Sequence, residues 1–311
     1  MNATEDLDFC RNETKIDWLN LPRRSVFTLR FFHQNSDYTF SYIVITGIEV
    51  LDDGRVLICD NHNNKVKLFR YDGTFLSSFF VEGFPLDLRM IGPHSFVVTN
   101  DLGNKLVVLI IVGDVIMHGR DILIKPNAVG VCFMDGYIYL TYPWGNPPEV
   151  VKIDTDGKVI QTIKRNAKRK PIFSERPVSI CAFSGLIYVS CMSIDGKKDK
   201  IYKFSKEGNI LAIHEHPQLQ EARYLSKDMF GNIYVCGMIN SNIIRFDRSG
   251  QKSRIVMSQS DGLRDPCSIG ILDQTLFIAQ DGLDIIKVLT MECFSETDDV
   301  GKLDRKRVSF S

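Results

Sequence analysis

An all-β fold, a six-bladed β-propeller built of four-stranded antiparallel blades, is what this 311-residue sequence predicts. Three observations lead there. One strand pattern recurs six times, as RVLICD from Arg55, SFVVTN from Ser95, YIYLTY from Tyr137, LIYVSC from Leu186, NIYVCG from Asn232 and TLFIAQ from Thr275. The copies lie roughly 40 to 50 residues apart, the length of one propeller blade. Within a copy, the apolar residues form short continuous or alternating runs rich in β-branched and aromatic side chains, without the 3.6-residue spacing of a helix. Glycine-bearing turns separate the runs. Asp-Gly between two apolar segments marks a hairpin, because glycine adopts positive φ at no steric cost.

Residues 1–23 are polar and mixed in charge, with Trp18, Leu19 and Leu21 as anchors, and are expected to be a flexible lead-in. Residues 47–80 then hold a complete blade: GIEVL, RVLICD, KVKLFR and TFLSSFF, joined by Asp52-Asp53-Gly54, Asn61-His62-Asn63-Asn64 and Tyr71-Asp72-Gly73. Third strands recur as KLVVLI, EVVKID, KIYKFS, NIIRFD and DIIKVL, and fourth strands as VIMHGR, KVIQTIK, NILAIHE and QKSRIVM. The sixth repeat stops after three strands. Residues 25–32, SVFTLRFF, precede the first blade without a partner of their own. They are expected to supply the missing outer strand, which closes the ring and removes two sheet edges. The propeller is therefore expected to occupy residues 24–293 as one domain, followed by a disordered tail over 294–311. Within that tail, Arg305-Lys306-Arg307-Val308-Ser309 has the form of a basophilic kinase site, a pattern short enough to recur by chance.

Thirty-eight basic residues balance 38 acidic ones, so no global charge draws the chain to nucleic acid or membrane. No apolar run reaches the ~18–20 residues of a membrane span. The opening MNATEDLDFC is acidic and lacks the apolar core of a secretory signal. The eight cysteines are scattered, mostly within strands and without a C-x-x-C pair. They read as small apolar core residues in a reducing cytosol, so a cytoplasmic location is expected.

The blades GIEVLDDGRVLICDNHNNKVKLFRYDGTFLSS, GNIYVCGMINSNIIRFDRSGQ and DPCSIGILDQTLFIAQDGLDIIKVL resemble NHL repeats. In particular, they resemble the C-terminal propellers of invertebrate tripartite-motif-like proteins. Relatives of that kind place a RING finger, B-boxes and a coiled coil ahead of the propeller. This sequence has neither paired Cys/His ligand spacing nor sustained heptads. The ubiquitin-ligase activity of such proteins resides in the RING, so it is not carried over. What the resemblance implies is a recognition module, binding a protein partner or an RNA stem-loop on one face.

Propeller geometry puts the second-to-third-strand loops and the blade-to-blade connections on one face, and the other hairpins on the opposite one. On the first of these faces the sequence groups Trp144 in the loop Tyr142-Pro143-Trp144-Gly145-Asn146-Pro147-Pro148 with the basic residues Lys164, Arg165, Lys168, Arg169 and Lys170. The latter lie in the connection from blade three to blade four. Lys197, Lys198 and Lys200 of blade four join them. Basic side chains beside an aromatic suit a phosphate backbone with base stacking. A solvated, mobile insertion kept soluble by its charges accounts for the same run.

An enzyme is not expected. A metal-dependent lactonase-like hydrolase would need several oxygen donors on the innermost strands, and only Glu49 and Asp87 supply carboxylates there. Asp87 has Arg89 two residues on, on the same strand face, which suggests an ion pair. His214-Glu215-His216 does not repeat elsewhere, and no nucleophile or phosphate-loop motif occurs. No cofactor, metal or small-molecule substrate is expected. The asparagines of residues 61–64 and 240–242 are expected to cap their turns by accepting backbone N–H groups. Tyr139, Tyr188, Tyr202 and Tyr234 are expected to be packing residues.

Overall fold

A computed structural model describes residues 25–30, 44–101, 103–195, 198–283 and 285–290. The expected lead-in and tail, with Cys10, Cys293 and Lys197, lie outside these residues. Six four-stranded antiparallel sheets make up the fold. Blade one holds β2 (Ile45–Val50), β3 (Val56–Asp60), β4 (Lys65–Phe69) and β5 (Phe75–Phe80). Blade two holds β6 (Pro85–Gly92), β7 (Ser95–Asn100), β8 (Lys105–Val112) and β9 (Val115–Leu123). Blade three holds β10 (Val131–Met134), β11 (Tyr137–Tyr142), β12 (Glu149–Ile153) and β13 (Val159–Ile163). Blade four holds β14 (Arg176–Phe183), β15 (Leu186–Met192), β16 (Lys200–Ser205) and β17 (Ile210–His214). Blade five holds β18 (Ala222–Lys227), β19 (Ile233–Gly237), β20 (Asn242–Phe246) and β21 (Ser253–Met257). Blade six holds β22 (Pro266–Leu272), β23 (Thr275–Gln280) and β24 (Ile285–Thr290), and its fourth strand is β1 (Ser25–Arg30).

That last pairing is the closure expected from the orphan N-terminal segment. β1 runs antiparallel to β24 in unbroken register from Ser25 opposite Thr290 to Arg30 opposite Ile285. The innermost strands β2, β6, β10, β14, β18 and β22 touch in cyclic order, which makes the six-bladed ring.

A propeller has no single central core. Its apolar residues form six clusters among the described residues, each shared by two neighbouring blades. One equivalent position per innermost strand, Ile48, Leu88, Val131, Ile180, Leu225 and Ile269, is fully buried and faces the adjacent blade. Second strands are sandwiched on both sides and are buried almost throughout, as in β3 and β19, which is why they read as continuous apolar runs. Outer strands such as β5 and β17 are half exposed and carry polar residues. Blade contact is close enough to demand glycine at Gly130, where an added Cβ would lie 2.6 Å from the Val178 carbonyl oxygen.

Hydrogen bonds cross the same interfaces. Thr99 donates to Val129 O at 2.6 Å and Thr141 to Val178 O at 2.9 Å. Asp199, buried, accepts Ser193 N at 2.8 Å and Ala222 N at 2.6 Å, tying blade four to blade five. Within blade one, Lys67 and Asp60 form a fully buried ion pair at 2.7 Å. Tyr139, Tyr188, Tyr202 and Tyr234 are all buried, as expected of packing residues. The asparagine turns differ from expectation. In blade one it is Asp60 that accepts Asn63 N (3.4 Å), and Asn63 Nδ2 donates to Asp60 (2.8 Å). Asn61 Nδ2 donates to Pro85 O, and Asn240 and Asn242 both donate to Gln218 O. A carboxylate takes the turn N–H in blade one, so the amides are free to reach neighbouring connections.

Candidate functional site

Strand order places the second-to-third-strand loops and the blade-to-blade connections on the same face of the ring, here the upper face. Trp144, in the β11–β12 loop, is 60 % exposed. The Arg176 guanidinium, at the start of β14, lies over its ring at 4.4 Å. This stack was not legible in the sequence, because Arg176 sits 32 residues downstream (176 less 144) on the next blade.

The 164–170 segment closes into a hairpin. Lys168 N and Lys170 N donate to Asn166 Oδ1 at 3.0 and 3.1 Å, and Arg169 takes positive φ (59°) at the tip. Ile172 N returns to Lys164 O at 3.0 Å, and Arg165 bridges Pro171. Phe173 then plugs the segment into the core, edge-on to Tyr202 and Phe204 at 5.2 and 5.8 Å. The Arg165 side chain folds back onto Arg169 O at 2.9 Å. Lys168, Arg169 and Lys170 stay exposed, with no carboxylate at ion-pair distance among the described residues.

The expected cluster of eight cations is divided by acidic residues that the sequence reading did not weigh. Lys164 lies 3.5 Å from the buried Glu149, which also binds Lys125. Lys200 lies 2.6 Å from Glu175, a carboxylate that also accepts Tyr202 OH at 2.9 Å. Burial alone would raise the Glu175 pKa, but the hydrogen bonds from Lys200, Ser174 and Tyr202 outweigh it and hold the group below its ordinary value. Lys198 faces Glu215 at 3.8 Å. Lys197 lies outside the described residues. Arg165, Lys168, Arg169 and Lys170 remain, with Arg176, without a carboxylate at ion-pair distance among the described residues, and of these Arg176 lies on Trp144.

The channel holds a second constellation. The suggested Asp87–Arg89 ion pair forms, at 3.3 Å, and Arg89 Nη1 also reaches Glu49 at 3.5 Å and Leu88 O at 2.8 Å. Tyr224, on the blade diametrically opposite, donates to Asp87 and accepts from Arg89. Asp87 Oδ2 further accepts Val131 N at 2.9 Å. Side chains from blades one, two and five thus meet in the channel, together with a backbone N–H from blade three. Burial raises the pKa of both Asp87 and Glu49, against the lowering effect of Arg89. No group of three His, Cys, Asp or Glu side chains suited to a metal occurs among the described residues, His214 and His216 included. The described cysteines are free thiols, five buried and Cys267 partly so.

Comparison with known proteins supports the fold and nothing finer. The chain is similar to a protein of unknown function from Bacteroides thetaiotaomicron, with TM-score 0.66 and 13 % identity over 86 % of this chain and 76 % of that one. It is similar to hydrazine synthase of Kuenenia stuttgartiensis, with TM-score 0.60 and 12 % identity over 79 % and 76 %. Virginiamycin B lyase from Staphylococcus aureus follows at TM-score 0.58 and 15 % identity over 86 % and 99 %. Identities this low establish a shared β-propeller and carry no activity across. No family model and no curated protein matches the chain. No helix among the described residues is long and apolar enough to cross a membrane.

Proposed function

We propose that the chain is a non-catalytic recognition module for a protein partner, with its binding surface on the upper face of blades three and four. It would be the counterpart of the substrate-binding propeller of tripartite-motif NHL proteins, acting in the cytosol. The observation that carries this reading is the Trp144–Arg176 stack at 4.4 Å, on the face that also carries exposed Lys168, Arg169 and Lys170 on a turn pinned by Asn166. Trp and Arg are the residue types that dominate binding hot spots, and a pre-ordered platform loses little entropy on binding. The uncompensated positive charge selects an acidic segment. Glu149, Glu175 and Glu215 neutralise Lys164, Lys200 and Lys198, and so reduce the phosphate contacts that an RNA ligand would use.

The test is binding of the purified chain to an array of acidic peptides and to a pool of structured RNAs, each at two salt concentrations. Peptide binding that falls at least ~10-fold in Trp144→Ala and in Arg176→Ala supports the proposal. Binding confined to RNA, with a log–log salt slope near −0.7 per neutralised phosphate, replaces it with the RNA reading. Peptide binding indifferent to both substitutions places the site elsewhere.

A further inference from the structure

Below the Tyr224 bridge the channel is a cavity of about 240 Å³ that opens toward the lower face. Its mouth is formed at or near the ends of the innermost strands by Val50, Met90, Phe133, Ala182, Lys227 and Ile271. All but Lys227 are apolar. One residue deeper along the strands the wall carries Glu49, Arg89, Cys132, Cys181 and Ser226, so the cavity is amphipathic. Its volume is that of about eight waters at ~30 Å³ each, room for a small organic molecule with a short apolar branch.

Four charged groups line or close this cavity, two of each sign. Asp87 and Arg89 are matched to one another, at 3.3 Å and through Tyr224. Glu49 and Lys227 are left, opposite in charge and not in contact. Glu49 has only long contacts, 3.5 Å to Arg89 and 3.4 Å from Met90 N, and its side chain keeps 20 % of its surface accessible. Lys227 faces no carboxylate at ion-pair distance among the described residues, its ammonium standing 5.5 Å from the Phe183 ring centroid. The two interact across the cavity all the same. Burial raises the Glu49 pKa, and Lys227 is among the charges that lower it, after Arg89. An ion of either sign would add an unbalanced charge to a partly buried site that is already neutral. A molecule carrying both an ammonium and a carboxylate adds none, and gives each separated group its partner.

We propose that this cavity binds a free apolar α-amino acid, its ammonium on Glu49, its carboxylate on Lys227 and its side chain against Phe133 and Cys132. The three contacts come from blades one, five and three, which surround the ligand from different sides. The proposal departs from the expectation of no small-molecule ligand, which rested on counting channel carboxylates for a metal. This site is independent of the upper-face proposal.

The experiment uses the full chain with leucine as probe, beside isoamylamine and isocaproate, which are leucine without its carboxylate and without its ammonium. Binding is read by ligand-observed NMR and by Tm. The expected result is saturable one-to-one binding of leucine at a Kd of roughly 0.1–1 mM, with each single-charge probe at least ~10-fold weaker. Lys227→Met should weaken leucine about tenfold, the scale of one charge-assisted hydrogen bond, and should not weaken isoamylamine. Glu49→Gln should weaken leucine to a similar degree and should not weaken isocaproate. If Glu49→Gln does not fold, Lys227→Met and the comparison of the three probes on the parent chain still decide. The proposal is overturned if leucine binds no more tightly than ~10 mM, if either single-charge probe binds as tightly as leucine, or if a folded Lys227→Met or Glu49→Gln chain binds leucine as the parent does.

Discussion

Tyr224→Phe removes one oxygen from the middle of the ring, and the structure fixes what that oxygen does. It donates to the buried Asp87 carboxylate and accepts from Arg89, joining blades that face each other across the axis. Each hydrogen bond to a charged group is worth about 1.5–3 kcal/mol, and loss of the hydroxyl leaves the buried Asp87 and the largely buried Arg89 short of a partner. A destabilisation of about 3 kcal/mol follows. For a domain of this size it corresponds to a fall in Tm of roughly 6 °C, at ~2 °C per kcal/mol. Tyr188→Phe makes the same chemical change at another buried tyrosine, whose hydroxyl has no hydrogen-bond partner. That variant should be neutral, or more stable by up to about 1 kcal/mol. Calorimetry of the two variants beside the parent chain separates the cases. If Tyr224→Phe melts within ~1 °C of the parent, or if the two variants behave alike, the axial network does not hold the ring together and the reasoning fails.

Two further outcomes test other parts of the fold. Lys67→Met strands the buried Asp60 carboxylate, now paired at 2.7 Å. It should cost about 3–5 kcal/mol by urea titration, with Asp60→Asn in the same background recovering part of the loss, whereas a cost under ~1 kcal/mol would count against a stabilising pair. The third outcome concerns acid stability. The Glu175 pKa lies below its ordinary value in the folded chain, so its contribution is present above the unfolded pKa of about 4.3 and disappears as the pH falls through the folded value. Glu175→Gln should therefore flatten the acid limb of the stability profile between about pH 5 and pH 3 and change it little in shape above pH 6. An unchanged acid limb would show that Lys200 and Tyr202 do not hold this carboxylate.

Most of the architecture was readable along the chain because a propeller blade is a local object. Its four strands are consecutive, its turns need glycine or aspartate at fixed offsets, and its doubly packed second strand must be apolar throughout. Residues 25–32 could be assigned to the sixth blade by counting alone, since an open edge had to be filled, and β1 pairs with β24 over Ser25–Arg30. The equivalence of loops followed too, which is how Trp144 and the 164–170 run were placed on one face. Hydrogen bonding within the turns was less legible. Asp60 outcompetes the asparagines for backbone N–H in blade one, and a pattern of Asn residues does not reveal that competition.

What the sequence by itself determined is therefore the repeat, the closure and the sidedness of the loops, all of which depend on neighbours in the chain or on a period. Only the tertiary structure decided which charges are free. Arg176 reaches Trp144, Glu149 and Glu175 take Lys164 and Lys200, and Tyr224 crosses the channel to Asp87. These partners lie on different strands or on different blades, at separations set by the ring radius and by side-chain reach. Electrostatic energy depends on distance and burial, not on position in the chain, so a sequence can supply the charges while the fold alone decides which of them cancel.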